Sequence, residues 1–213
     1  MVWLVFFNNK ENRFRIVQDK TIDIDKIHRP KKAKTLPNVL SKEEIKKILE
    51  APVNTKHKMM LSLIYSCGLR CGELLALKPV HIDSKRNVVL IKNAKGQKDR
   101  IVPLSHKILE MLREYYKTYQ PSVFLFERQI KGNPYDARSL QEVLKQSLKK
   151  AGIQKPVTLH WLRHSYATHL LESGTELRYI QELLGHSGSK TTEIYTHVST
   201  KSLQQIKSPF DDL

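Results

Sequence analysis

Thr158-Leu159-His160-Trp161-Leu162-Arg163-His164 opens the segment on which the reading of this chain turns. Apolar residues recur at helical spacing from Leu159 to Glu172, which predicts a helix over 159–172. On it His160 and Arg163 stand at i and i+3 and share a face. Arg163 offers a planar fork of donors suited to phosphate oxygens, and His160 can donate to another oxygen or shuttle a proton. Taken alone, the pair reads better as a surface His–Arg pair on a basic helix.

It does not stand alone. A helix over 177–184 is followed by Gly185-His186-Ser187, where Gly185 fits a C-cap and sets His186 on a turn. Thr191-Thr192-Glu193-Ile194-Tyr195-Thr196-His197 then places Tyr195 nine residues beyond His186. A tyrosine is more often a core residue with a satisfied hydroxyl, but polar neighbours on both sides argue against plain burial here. Upstream, Gly68-Leu69-Arg70-Cys71-Gly72-Glu73-Leu74 sets Arg70 where a helix follows a glycine turn, with Glu73 placed to orient its guanidinium. The plainer reading of that pair is a surface ion pair worth roughly a few tenths of a kcal/mol.

Around these segments the chain reads as mainly α with a small antiparallel sheet. Ser41 with Glu44 forms a capping box for a first helix. A second helix runs near Lys56 to Cys67 with Gly68 as its stop, and a third starts near Cys71 and ends at Pro79. The period turns extended at Asn87 to Ile91 and Arg100 to Leu104, with a polar, glycine-bearing turn between them that carries Lys95. Considered as loop alone, Lys95 is a solvated lysine. Further helices are expected at Ser105 to Tyr119, Ser139 to Ala151 and Lys201 to Ile206. Residues 1–40 read as an N-terminal remnant and basic linker, 41–198 as the compact main unit and 199–213 as a tail.

Lys and Arg number 37 against 21 Asp and Glu, a net charge of +16 with a pI near 9.8, which points to a polyanionic partner. Val2 to Phe7 is too short an apolar run to span a bilayer and lacks the flanks of a signal peptide. Cys67 and Cys71 have no zinc-site spacing and suggest no disulfide, so a reducing cytoplasm is expected.

Four runs in order resemble the tyrosine recombinase (phage integrase) family, its Xer-like branch in particular. They are Cys67 to Leu74, Ala94 to Leu104, His160 to Leu170, and Leu183 to Ser187 continued by Thr191 to Val198. The resemblance implies the catalytic-domain fold of that family and an active site of Arg70, Lys95, His160, Arg163, His186 and Tyr195. It implies a site-specific DNA recombinase or integrase in which Tyr195 attacks a phosphodiester, forming a 3′-phosphotyrosine and freeing a 5′-hydroxyl. No cofactor, ATP or metal is implied. Arg70 and Arg163 would clamp the phosphate, Lys95 would act as general acid, His160 would assist Tyr195 and His186 would donate to the phosphate. Glu73 is expected behind them, and Lys31, Lys32, Lys34, Lys98 and Arg100 are expected as further DNA contacts. The partners implied are double-stranded DNA, other copies of the chain in a tetramer on paired sites, and a partner recombinase, in the cytoplasm at the nucleoid. Relatives carry a helical core-binding domain ahead of the catalytic one, and in them a C-terminal segment docks on a neighbouring subunit, a role Phe210 could serve.

Three other readings compete: a truncated DNA-binding module that has lost catalysis, a type IB topoisomerase-like enzyme, and a metal hydrolase using His160, His164, His169 and His186. The last lacks the carboxylate of an HExxH motif between its i,i+4 histidines.

Overall fold

Ser41 caps α1 (Lys42–Glu50) through a reciprocal pair of bonds with Glu44, the box its spacing predicts. The computed structural model describes residues 36–92, 99–186, 188 and 190–196. The compact unit begins at Leu36, ahead of the expected boundary at Ser41. Leu40 is the reason: its side chain is fully buried and its N–H donates to Ser165 Oγ at 2.9 Å.

Asn54 caps α2 (Thr55–Cys67), which ends at Gly68 in a left-handed conformation. From Met59 to Ile64 every side chain of α2 is buried, so this stretch of the helix runs through the core. It packs on α6 (Leu159–Glu172) and α4 (His106–Tyr119), while α5 (Ala137–Lys150) packs on α1. Between α2 and α4 come α3 (Cys71–Leu75), a single 3₁₀ turn at Pro79–His81 and the sheet. Thus α3 stops short of Pro79, which starts the next turn instead of closing the helix.

The sheet is antiparallel with the order β1 (Ile82–Asp83), β2 (Val88–Ile91), β3 (Arg100–Pro103). Val89 pairs with Val102, and Ile91 with Arg100. The strand period of two sends Val89, Ile91, Arg100 and Val102 to the buried face. β1 adds a short third strand to the two extended runs that the sequence marks.

After α6 the chain makes α7 (Leu177–Leu184), closed by Gly185 in a left-handed conformation, and a short α8 (Lys190–Glu193) that the periodicity did not announce. Tyr166, Ala167, Ile180 and Leu184 form a second apolar cluster, and Tyr195 packs within it. The expected helix at Lys201 to Ile206 and Phe210 lie outside the described residues. Among the described residues no helix is long and apolar enough to cross a membrane.

Candidate active site

The site is built around the guanidinium of Arg163, which is 1% exposed. Two helix ends point at it. Its Nη1 donates to the carbonyl of Gly68 at the end of α2, and its Nη2 donates at 2.6 Å to the carbonyl of Leu184 at the end of α7. Both are helix C-termini, where the unpaired carbonyls carry partial negative charge and favour a cation. The left-handed turns at Gly68 and Gly185 are what leave those carbonyls aimed inward. A Cβ at Gly68 would lie 2.5 Å from Tyr166 Cδ1, so that turn also needs the absence of a side chain. Burial, and then the charge of Arg70, lower the Arg163 pKa to about 10, which leaves it cationic at neutral pH.

Glu73, on α3, gathers the arginines. Its Oε1 accepts from Arg70 Nη1 at 2.7 Å and Arg100 Nη1 at 2.9 Å, and its Oε2 accepts from Arg100 Nη2 at 2.7 Å and the Arg70 backbone N–H at 2.8 Å. Arg163 Nη1 lies 3.7 Å from Oε2. Burial pushes this carboxyl up, but the bonds from Arg100 and Arg70 outweigh it and hold the pKa at about 2. What the spacing suggested as a surface i,i+3 pair is a carboxylate only 7% exposed, facing several cations.

Arg100 departs from its expected role as a DNA contact. It faces inward on β3, its side chain is 6% exposed, and its donors are engaged by Glu73 and, at 2.8 Å from Nε, by the carbonyl of Leu183. The strand alternation that buries Val102 buries Arg100 with it.

His186 follows α7. Its Nε2 lies 3.2 Å from Arg163 Nη2 and its Nδ1 lies 3.0 Å from Thr192 Oγ1. Arginine only donates, so Nε2 accepts and the ring proton sits on Nδ1, donated to Thr192. Burial, then Arg163 and Arg70, lower the His186 pKa to about 4, which keeps the ring neutral. In this arrangement His186 receives a hydrogen bond from Arg163, whereas the expectation had it donating to a phosphate.

Tyr195 is 1% exposed, against the argument from its polar flanks. Its ring lies nearly parallel to that of His186, with centroids 6.5 Å apart, and its hydroxyl is 3.0 Å from His164 Nδ1. Burial raises its pKa, while Arg163 and Arg70 pull the other way. His160 meets His164 edge to face with ring centroids 4.4 Å apart, and burial, Arg163 and Arg70 lower its pKa.

Arg70, His160, Arg163, His186 and Tyr195 therefore come together from four separate segments. Lys95 lies outside the described residues, as do Lys31, Lys32, Lys34 and Lys98. Two residues of the site escaped the sequence reading, His164 and Thr192. His164 carries a signal in its i+4 spacing from His160, a spacing that in the sequence reads as a metal pattern. Among the described residues no three His, Cys, Asp or Glu side chains converge as a metal site would require.

The family model "Phage integrase family" matches residues 38–202. This chain belongs to the phage integrase family. The integrase-family match runs through every segment of the site, from Arg70 to Tyr195. Tyrosine recombinase XerA of Pyrococcus horikoshii is 38% identical over 186 residues, covering 86% of this chain and 65% of that protein. A crystal structure of XerA recombinase superposes with a TM-score of 0.73 at 31% identity, over 83% of this chain and 68% of the other. XerH, solved in a post-cleavage complex with its palindromic difH substrate, superposes with a TM-score of 0.72 at 29% identity, over 83% and 54%. The fold is thus that of a tyrosine recombinase catalytic domain, and this integrase-family chain spans about half to two thirds of the proteins it matches.

Proposed function

We propose that this chain breaks and rejoins double-stranded DNA at specific sites through a covalent 3′-phosphotyrosine on Tyr195. The observation that carries the reading is the convergence of two arginines and three histidines around one buried tyrosine hydroxyl. Phosphoryl transfer needs positive charge on the non-bridging oxygens and a positioned nucleophile more than it needs covalent assistance. Arg70, a quarter exposed, is the arginine open to an incoming phosphate, with Arg163 fixed behind it. Glu73 keeps both cations in register. Lys95, between β2 and β3 in the sequence, is the acid assigned to the departing 5′ oxygen. His160 stands at the solvent side of the cluster, able to touch the phosphate.

Because the phosphotyrosine stores the energy of the bond it replaces, rejoining by a 5′-hydroxyl calls for neither ATP nor a nuclease metal. The net charge of +16 favours a duplex backbone as partner. The same reading has the protein acting as a tetramer on paired sites, alone or with a partner recombinase, at the nucleoid. XerH, solved with its palindromic difH substrate in a post-cleavage complex, supports the DNA-cleaving reading by similarity.

The test is covalent trapping on a library of nicked duplexes with randomised cores. Wild-type protein should give an adduct that survives denaturant, and Tyr195→Phe should bind DNA yet give none. An adduct from Tyr195→Phe would refute the assignment. Arg70→Ala and Arg163→Ala should each slow adduct formation by about 10²–10³-fold.

A further inference from the structure

We propose that His164 is a catalytic residue of this reaction, the base that takes the phenolic proton of Tyr195 as its oxygen attacks phosphorus. The proposal rests on the phosphotyrosine reading above and deepens it. His164 Nδ1 lies 3.0 Å from the Tyr195 hydroxyl, a distance at which a neutral imidazole accepts a hydrogen bond from a phenol. Among the described residues no hydrogen bond joins His160 to Tyr195, and the ring of His160 meets that of His164 instead.

The proton needs an acceptor inside the protein, because Tyr195 is 1% exposed and bulk water does not reach it. The groups around the hydroxyl narrow the choice. Arg163 and Arg70 donate only. His186 has both nitrogens engaged, Nε2 by Arg163 and Nδ1 by Thr192. His164 remains, with Nδ1 turned to the phenol. Burial, then His160 and Arg163, hold its pKa at about 4, so the resting ring is neutral and free to accept. A phosphodiester arriving against the arginines brings a negative charge that offsets their push and raises the proton affinity of His164 when it is needed.

In cleavage, the bond from Tyr195 Oη to phosphorus forms and the bond from phosphorus to the 5′ oxygen breaks. The phenolic proton passes to His164 Nδ1, and the 5′ oxygen takes a proton from a separate acid, the role proposed for Lys95. In rejoining, the 5′-hydroxyl attacks, gives its proton back to that acid, and Tyr195 leaves with the proton held by His164.

Single-turnover adduct formation by His164→Asn and His164→Ala on nicked duplex tests this. The amide of asparagine reaches about where Nδ1 stands, so His164→Asn keeps a hydrogen-bond acceptor and lacks a base. Both variants should slow cleavage by about 10²–10⁴-fold at unchanged DNA affinity, and imidazole added to His164→Ala should restore part of the rate, following imidazole's own titration. Wild-type speed in His164→Asn would mean that the contact only orients the phenol. Faster cleavage by His164→Ala would mean that it restrains the nucleophile. Slow cleavage that imidazole leaves unchanged would mean that no proton acceptor was lost. Each of these overturns the assignment while the wild-type adduct still stands, whereas the absence of a wild-type adduct would overturn the phosphotyrosine reading as well.

Discussion

Replacing Glu73 by glutamine removes the negative charge around which the arginines are assembled. The carboxylate accepts two bonds from Arg100 and two from Arg70, with Arg163 at 3.7 Å, and it is 7% exposed. Glutamine keeps one acceptor oxygen and turns an N–H donor against guanidinium groups that can only donate. Two routes give the magnitude. Holding the carboxyl at about 2 in place of 4.5 corresponds to about 3 kcal/mol of stability at neutral pH. Breaking a buried ion pair by removing one partner costs about 3–5 kcal/mol. The folded pKa is depressed, so this stability is fully present above about 4.5 and is lost as pH falls towards about 2. Urea unfolding of Glu73→Gln and wild type should therefore differ by about 3 kcal/mol at neutral pH, with the gap closing across that acid window. A difference below about 1 kcal/mol, or one that stays constant down to the acid limit, would show that the charge of Glu73 does not hold the site together.

Gly68→Ala should destabilise the fold by about 1–3 kcal/mol, since φ is +59° and the added Cβ would press on Tyr166. It should also slow adduct formation, because the Gly68 carbonyl holds Arg163; thermal unfolding and single-turnover cleavage read the two effects. Arg100→Gln should lower stability by about 3 kcal/mol yet leave the slope of log K against log salt for DNA binding unchanged. A slope smaller by about 0.9 would instead restore Arg100 as a phosphate contact.

Most of the architecture was legible because it rests on local rules. The capping box at Ser41, the glycine stops at Gly68 and Gly185, and the helices over 159–172 and 177–184 follow from spacing and backbone preference alone, and the structure shows them where the periodicity puts them. The pairs of the active site were half legible. Arg70 with Glu73, and His160 with Arg163, are neighbours on their helices, but i,i+3 spacing says nothing about what else packs on that face. Arg100 marks the limit from the other side. Alternation with Val102 makes its inward face readable, whereas its charge near a DNA site points by itself to a phosphate contact. Thr192 carried no local signal at all, since its bond to His186 closes a turn whose geometry depends on how α7 and α8 meet.

Sequence alone determined the family, the order of the segments that form the site and the proposal of Tyr195 as nucleophile, because each motif is a short run whose chemistry lies in its residue types. Tertiary structure alone decided the environment of those residues. It turned a surface ion pair into a carboxylate shared by Arg70 and Arg100 beside Arg163, buried a tyrosine whose flanks are polar, and set His164 rather than His160 against its hydroxyl. Burial and pKa depend on what other segments bring within a few ångströms. Here those segments lie as far as 95 residues apart, as in the bond from Arg163 to the Gly68 carbonyl.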